Sequence, residues 1–161
     1  MPFAHFMSGH NRFKEIFTGK KDFFLNLADK GQSPRVLWIG CSDSRVVPEQ
    51  ITGAEAGELF VLRNIANVVP PASAEDDAIG AVIEYAVLHL KLPDINVCGH
   101  TDCGGIKALY GHVDANREPH IYRWLELIWP LREQVKKSGV PEKMIITETV
   151  KANLLLQREN R

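Results

Sequence analysis

Cysteine is scarce in this chain: Cys41, Cys98 and Cys103 are the three among 161 residues. An odd, small number cannot staple a fold, so a disulfide framework is excluded and reduced thiols are expected. Neither sign of charge dominates, since 19 basic residues face 20 acidic ones and the formal net charge is -1. A general nucleic-acid-binding surface needs a basic excess, so no nucleic-acid partner is expected. No apolar run approaches the roughly 20 residues of a membrane-spanning helix, and no membrane partner is expected. The first 17 residues mix His, Asn, Lys and Glu with apolar side chains and lack the continuous apolar centre of a signal peptide. A cytoplasmic location is the expectation, with an organellar one not excluded. Repeats, low-complexity tracts and Gly/Ser-rich linkers are also missing. One domain over residues 1–161 follows, against a prior of about 150 residues per domain.

What is present is ordinary for a globular protein: 45% apolar and 24% charged residues, enough for a sizeable core. Phe13, Ile16, Phe17, Phe23, Phe24 and Leu27 suggest two short amphipathic helices broken near Gly19, so residues 1–30 form a helical arm. Val36-Leu37-Trp38-Ile39 is a short continuous apolar run that fits a strand buried on both faces, Leu59-Phe60-Val61-Leu62 is a second apolar run, and Ile95-Asn96-Val97-Cys98 is a third strand-like run. Residues 73–90 carry a helical stripe (Ile79, Val82, Ile83, Ala86, Val87, Leu90) that Ser73 can cap, with Asp76 three positions on. Gly104-Gly105 opens another helix. Residues 122–135, interrupted at Pro130, and 148–156 complete the helices. Alternating strands and helices predict an α/β fold, a mainly parallel central sheet flanked by helices.

Two loops carry the chemistry. Gly40-Cys41-Ser42-Asp43-Ser44-Arg45 follows the first strand, and Gly99-His100-Thr101-Asp102-Cys103-Gly104-Gly105 follows the third. In a parallel sheet both emerge at the carboxyl edge, where open α/β folds place their sites. Together they offer Cys41, His100 and Cys103, two soft thiolates and an imidazole suited to zinc, with a fourth position left for water. Asp43 and Arg45 can pair through two prongs. Asp43 then either accepts a hydrogen bond from a zinc-bound hydroxide or takes the fourth position itself. Two thiolates cancel the metal's formal charge, so positive charge from Arg45 helps acidify the bound water. Each part alone is weak. A cysteine at a strand end is more often a core residue, Cys98 reads as core, and Asp43–Arg45 alone can be a loop ion pair.

The combination resembles a known family. Cys41-Ser42-Asp43-Ser44-Arg45 and Cys98-Gly99-His100-Thr101-Asp102-Cys103-Gly104-Gly105 are similar to the two signature loops of the β-class carbonic anhydrases. The likeness extends through Gly57-Glu58-Leu59-Phe60-Val61-Leu62-Arg63-Asn64-Ile65-Ala66-Asn67 and Ile83-Glu84-Tyr85-Ala86-Val87. The resemblance implies Zn2+ on Cys41, His100 and Cys103, a catalytic dyad of Asp43 and Arg45, and reversible hydration of carbon dioxide to bicarbonate and a proton through a zinc-bound hydroxide. It implies an apolar pocket shared between subunits, with Gln32, Phe60, Ile65 and Tyr85 at pocket positions. It also implies a homodimer or assembly of dimers in which the N-terminal arm embraces the partner. Gln32, Asn64-Ile65-Ala66-Asn67 and Pro70-Pro71 resemble the type whose zinc stays open to water, with Asp43 bonded to Arg45. Trp38 and Arg63 match a bicarbonate-binding pocket of the other type. The family continues beyond a helix like residues 148–157 into a further strand region, so a C-terminally short form is expected. The alternatives are a carbonyl sulfide or carbon disulfide hydrolase on the same scaffold, and a zinc-binding, non-catalytic protein impaired by its short C-terminus. A thiol redox enzyme is a weaker rival, because no Cys-x-x-Cys pair occurs.

Overall fold

The computed structural model describes residues 2–74 and 76–160, the side chain of residue 2 excepted. They divide between Ser33 and Pro34 into two compact units. The first holds two helices, α1 (Pro2–Gly19) and α2 (Lys21–Lys30). Lys20 breaks them with φ -117 and ψ 32. Phe24 gathers the aromatic side chains of this unit, with ring centroids 5.2 Å from Phe17 and Phe23 and 5.7 Å from Phe13. The helical spacing of Phe13 and Phe17 makes that cluster possible. α1 begins well before Phe13, and Phe3, Phe6 and Met7 carry the helical apolar spacing of its first turns. Side-chain pairs one turn apart, Arg12 to Ser8 and Lys14 to Asn11, run along its polar face. Gly31 ends α2 at φ 72, a left-handed value that glycine adopts freely.

The second unit is built on a three-stranded parallel sheet of β1 (Val36–Cys41), β2 (Leu59–Asn64) and β3 (Asp94–Cys98), in the order β2-β1-β3. The apolar run of β1 is central, and Leu37 and Ile39 are fully buried. Val36 stands opposite both Leu59 and Asp94, so the three strands end together: Cys41 lies beside Asn64, and Gly40 beside Cys98. Strand order reverses at β1, which opens a crevice beyond the carboxyl ends.

Helices cover the sheet. α3 (Pro48–Thr52) starts on proline and stops at left-handed Gly53. α4 (Asp77–Glu84) runs into a π-helical turn, Tyr85–His89. The cap expected at Ser73 is not formed. Ala72–Ala74 make a separate 3-10 turn, closed by Ala74 N–H on the Pro71 carbonyl at 2.8 Å. Asp76 caps α4 instead, accepting from the Ile79 N–H at 2.9 Å. Its carboxylate satisfies a free N–H in the first turn and complements the helix dipole better than a hydroxyl. α5 (Gly104–Ala108), α6 (Pro119–Glu126), α7 (Pro130–Lys137) and α8 (Ile145–Glu159) follow. α6 ends at Glu126, ahead of the break expected at Pro130, and Pro130 starts α7. Among the described residues no helix is long and apolar enough to cross a membrane.

Two cores result. Leu37, Ile39, Val69 and Ala86 form one. Cys41, Ala66, Val68, Cys103, Ile106, Leu109, Leu125, Ile128, Leu131 and Val150 form the other, which includes two of the three cysteines.

Candidate metal centre

Cys41 is the last residue of β1, and His100 comes two residues after β3 ends at Cys98. Cys103 directly precedes α5. Parallel pairing in matched register carries the two loops to the same edge. One ligand atom from each of Cys41, His100 and Cys103 lies within 4.8 Å of the others. The two Sγ atoms are 3.9 Å apart, and both cysteines are free thiols.

The donor set fits zinc. Tetrahedral bonds of about 2.3 Å to sulfur require sulfurs about 3.8 Å apart, close to the 3.9 Å found. His100 Nε2 is buried with no hydrogen-bond partner, an open acceptor position that a cation would satisfy. Burial pushes the Cys103 thiol up to about 11, with the adjacent Cys41 sulfur adding to the rise. A raised thiol pKa favours the protonated form, and metal binding must displace that proton. Apparent zinc affinity is therefore expected to fall as pH falls, by about tenfold per pH unit for each thiol that releases a proton. Competition with a chromophoric chelator between pH 6 and 8 measures this slope, and a flat profile would exclude Cys103 as a ligand. Cys98 takes no part in the cluster. Its thiol bonds the Gly99 carbonyl, and burial raises its pKa too.

Beside the cluster, Asp43 and Arg45 pair through both prongs. Arg45 Nε donates to Oδ1 at 2.9 Å, Nη2 donates to Oδ2 at 2.7 Å, and the Arg45 backbone N–H adds a third bond to Oδ1 at 3.0 Å. These bonds, the side-chain ones foremost, hold the Asp43 carboxyl far below the usual carboxylate range, and they raise Arg45. Oδ2 also faces the cluster, 3.8 Å from His100 Nε2.

Two braces were not read as such from the sequence. Asp102 accepts from Arg45 Nη1 at 3.3 Å and pairs with Lys107, so it anchors Arg45 from the second loop. The Lys107 bond, then the Arg45 bond, lowers its pKa. Arg63 donates from Nε to the Cys41 carbonyl at 3.0 Å and from Nη2 to the Asp43 carbonyl at 2.7 Å, bracing the first loop. The signal was available in part, because Asp102 stands inside the quoted motif and Arg63 lies opposite Gly40 in register.

The residues expected at the substrate pocket are dispersed. Ile65 lies near the cluster: a Cβ on Gly105 would meet Ile65 Cγ2 at 2.8 Å. Ile65 lines an open cleft of about 460 Å³ with Ser42, Asn64, His120, Ile121 and Trp124. Phe60 stands opposite Leu37, four residues and roughly 13 Å back along the strands from Cys41 at about 3.3 Å per residue. Tyr85 stacks on Phe60 with centroids 5.9 Å apart. This chain does not bring those two rings to the cluster. Gln32 belongs to the first compact unit. Another cleft, about 500 Å³ between Pro70-Pro71 and α4, contains none of these residues.

Residues 36–160 match a family profile described as carbonic anhydrase. A carbonic anhydrase of Synechocystis sp. is 39% identical over 158 residues, covering 96% of this chain and 57% of that protein. One from Pseudomonas aeruginosa is 42% identical over 120 residues, covering 74% of this chain and 54% of that protein. The chain thus spans little more than half the length of these curated relatives. Among solved structures, the β-carbonic anhydrase CcaA superposes with TM-score 0.89 at 37% identity, covering 99% of this chain and 79% of that one. The β-carbonic anhydrase CafA of Aspergillus fumigatus gives 0.87 at 32%, covering 99% and 75%. Profile, relatives, parallel sheet and paired loops agree: this chain belongs to the β-class carbonic anhydrase family.

Proposed function

We propose that this protein hydrates carbon dioxide reversibly to bicarbonate and a proton, with zinc held by Cys41, His100 and Cys103. The convergence of those three donors beside an ionised Asp43–Arg45 pair carries the reading. Bound there, zinc supplies Lewis acidity that brings a water's pKa towards neutrality. The chain's own residues do the rest. Asp43 Oδ2 accepts one bond from Arg45 and, as a carboxylate oxygen, keeps capacity for another on its cluster side. It accepts a hydrogen from the attacking water and so aims a lone pair at the carbon of the substrate. Arg45, pinned by Asp43 and Asp102, keeps Asp43 ionised and contributes positive charge next to two thiolates. Ile65 supplies an apolar wall that suits a small, nonpolar substrate.

A second copy of the chain completes the pocket. Phe60 and Tyr85 lie too far from the cluster of their own chain, which supports their acting across an interface. The first unit exposes Phe3 (72%) and Phe6 (70%), a surface suited to burial against a partner copy. Two Sordaria macrospora β-carbonic anhydrases, one of them matched here at 34% identity and TM-score 0.85 over 98% of this chain and 79% of that one, are described as tetrameric. Three free thiols suit a reducing compartment, which supports a cytoplasmic location.

The test is stopped-flow hydration of carbon dioxide on zinc-loaded protein, with metal content and sedimentation measured on the same sample. The expected result is one zinc per chain, saturable turnover and a species no smaller than a dimer. Stoichiometric zinc with no hydration above the buffer rate would overturn the proposal.

A further inference from the structure

A polar ridge runs along the buried side of α8. Thr149, Asn153 and Gln157 stand four residues apart and are 0%, 1% and 0% exposed. An amphipathic helix ordinarily turns apolar side chains inward, and buried amides are tolerated only when bonded. Those of Asn153 and Gln157 are spent on the segment 65–69. Asn153 Nδ2 donates to the Ala66 carbonyl at 2.9 Å. Gln157 Oε1 accepts from the Val69 N–H at 2.7 Å, and its Nε2 donates to Asn153 Oδ1 at 2.7 Å. That segment needs holding, because Ala66 and Asn67 are consecutive non-glycine residues at φ 60 and φ 49. Trp124 Nε1 holds the Ile65 carbonyl, Asn64 closes on both the N–H and carbonyl of Val68, and Asn160 Nδ2 holds the Val69 carbonyl.

The clamped turn touches the ligand loops. A Cβ on Gly105, two residues past Cys103, would fall 2.8 Å from Ile65 Cγ2 and 2.9 Å from Ala66 Cβ. The turn starts at Asn64, which pairs with Cys41 and accepts the Ser42 N–H at 2.8 Å. Val150 and Leu154 of the same helix press on Gly99, next to His100: a Cβ there would lie 3.2 Å from each. Each of the three ligands therefore rests on a contact that leads back to α8 in one or two steps.

We propose that Asn153 and Gln157 are positioning residues for the metal centre. They hold the left-handed turn at Ala66-Asn67 against the Cys103–Gly105 loop, and so set how tightly the ligands close on the metal. This rests on the zinc reading above. Outer partners that orient metal ligands typically change affinity by about 10- to 100-fold when removed.

The test measures zinc affinity by chelator competition and the visible ligand-field bands of the Co(II)-substituted protein, with thermal midpoints alongside. Asn153→Ala and Gln157→Ala are expected to weaken zinc by about 10- to 100-fold and to shift the Co(II) bands. Ile79→Ala, buried on α4 and outside both cores, is the control. It lowers the thermal midpoint but leaves affinity and spectrum unchanged, which separates positioning from general destabilisation. Leu154→Ala strands no polar group, so it stays informative where an amide variant fails to fold. It relaxes the packing on Gly99 and is expected to shift the bands in the same way. A parent chain that binds zinc, with variants within about twofold of its affinity and identical spectra, overturns this inference. A parent chain that binds no zinc overturns the functional reading and this inference with it, and that result appears before any variant is compared.

Discussion

Replacing His100 by alanine is expected to strip zinc from the protein and to lower the hydration rate at least about a thousandfold, the rate equivalent of roughly 4 kcal/mol. His100 is the only neutral donor in the cluster, and its Nε2 is buried without another partner. Without it the two thiols remain 3.9 Å apart in a buried core. Two close thiolates with no third donor repel each other, and burial already favours the protonated form of Cys103. The variant is therefore expected to keep its fold, because the imidazole makes no hydrogen bond that holds another element, while losing its metal. Metal analysis, circular dichroism and stopped-flow hydration on one preparation check all three parts. Zinc at one per chain in the variant would show that His100 is not a ligand.

Asp43→Asn is expected to keep zinc and lose about 100- to 1000-fold in hydration rate, within the range for a positioned proton-handling group. The substitution replaces one carboxylate oxygen with an amide NH2 group. Arg45 offers three donors to Asp43, and an amide turns one of its own donors against them. The pair loosens, and the atom that faced the cluster either stops accepting or turns away. The pH dependence follows from the shift. A carboxyl held far below its usual pKa by Arg45 stays ionised throughout the neutral and mildly acidic range. The contribution of the ion pair is complete above the ordinary aspartate pKa and is lost only as pH falls towards the depressed folded value. Any acid limb of the rate profile above about pH 5 therefore belongs to another group, and Asp43→Asn is expected to lower the whole profile without moving that limb. A variant with the parent's kcat would remove Asp43 from the mechanism.

β1 was legible because its continuous apolar run, Val36-Leu37-Trp38-Ile39, means burial on both faces, which the centre of a parallel sheet provides, whereas β2 and β3 hold the two edges of the sheet without a fully buried residue. The α4 cap was misjudged for a local reason. Ser73 and Asp76 are both good caps three residues apart, and Pro70-Pro71 divert the chain into a 3-10 turn before the helix begins. α1 reaches back to Pro2 through Phe3, Phe6 and Met7, whose helical spacing precedes that of Phe13 and Phe17. The π-helical turn at Tyr85–His89 had no signal, since the stripe through Ala86 and Leu90 reads as ordinary α-helix.

The cluster itself was determined by the sequence. Cys41 ends β1, His100 and Cys103 lie in the loop after β3, the parallel pairing leaves one edge for both loops, and the chemistry of the three side chains suits a metal. Placement around the cluster was decided by tertiary structure. The distance of Phe60 and Tyr85 from Cys41 depends on strand register, and the grip of Asp102 on Arg45 depends on how two loops meet. The hold of α8 on the turn at Ala66 joins residues 87 positions apart. Periodicity reports which face of an element is buried. What that face touches is set by packing between distant segments, and no pattern within either segment records it.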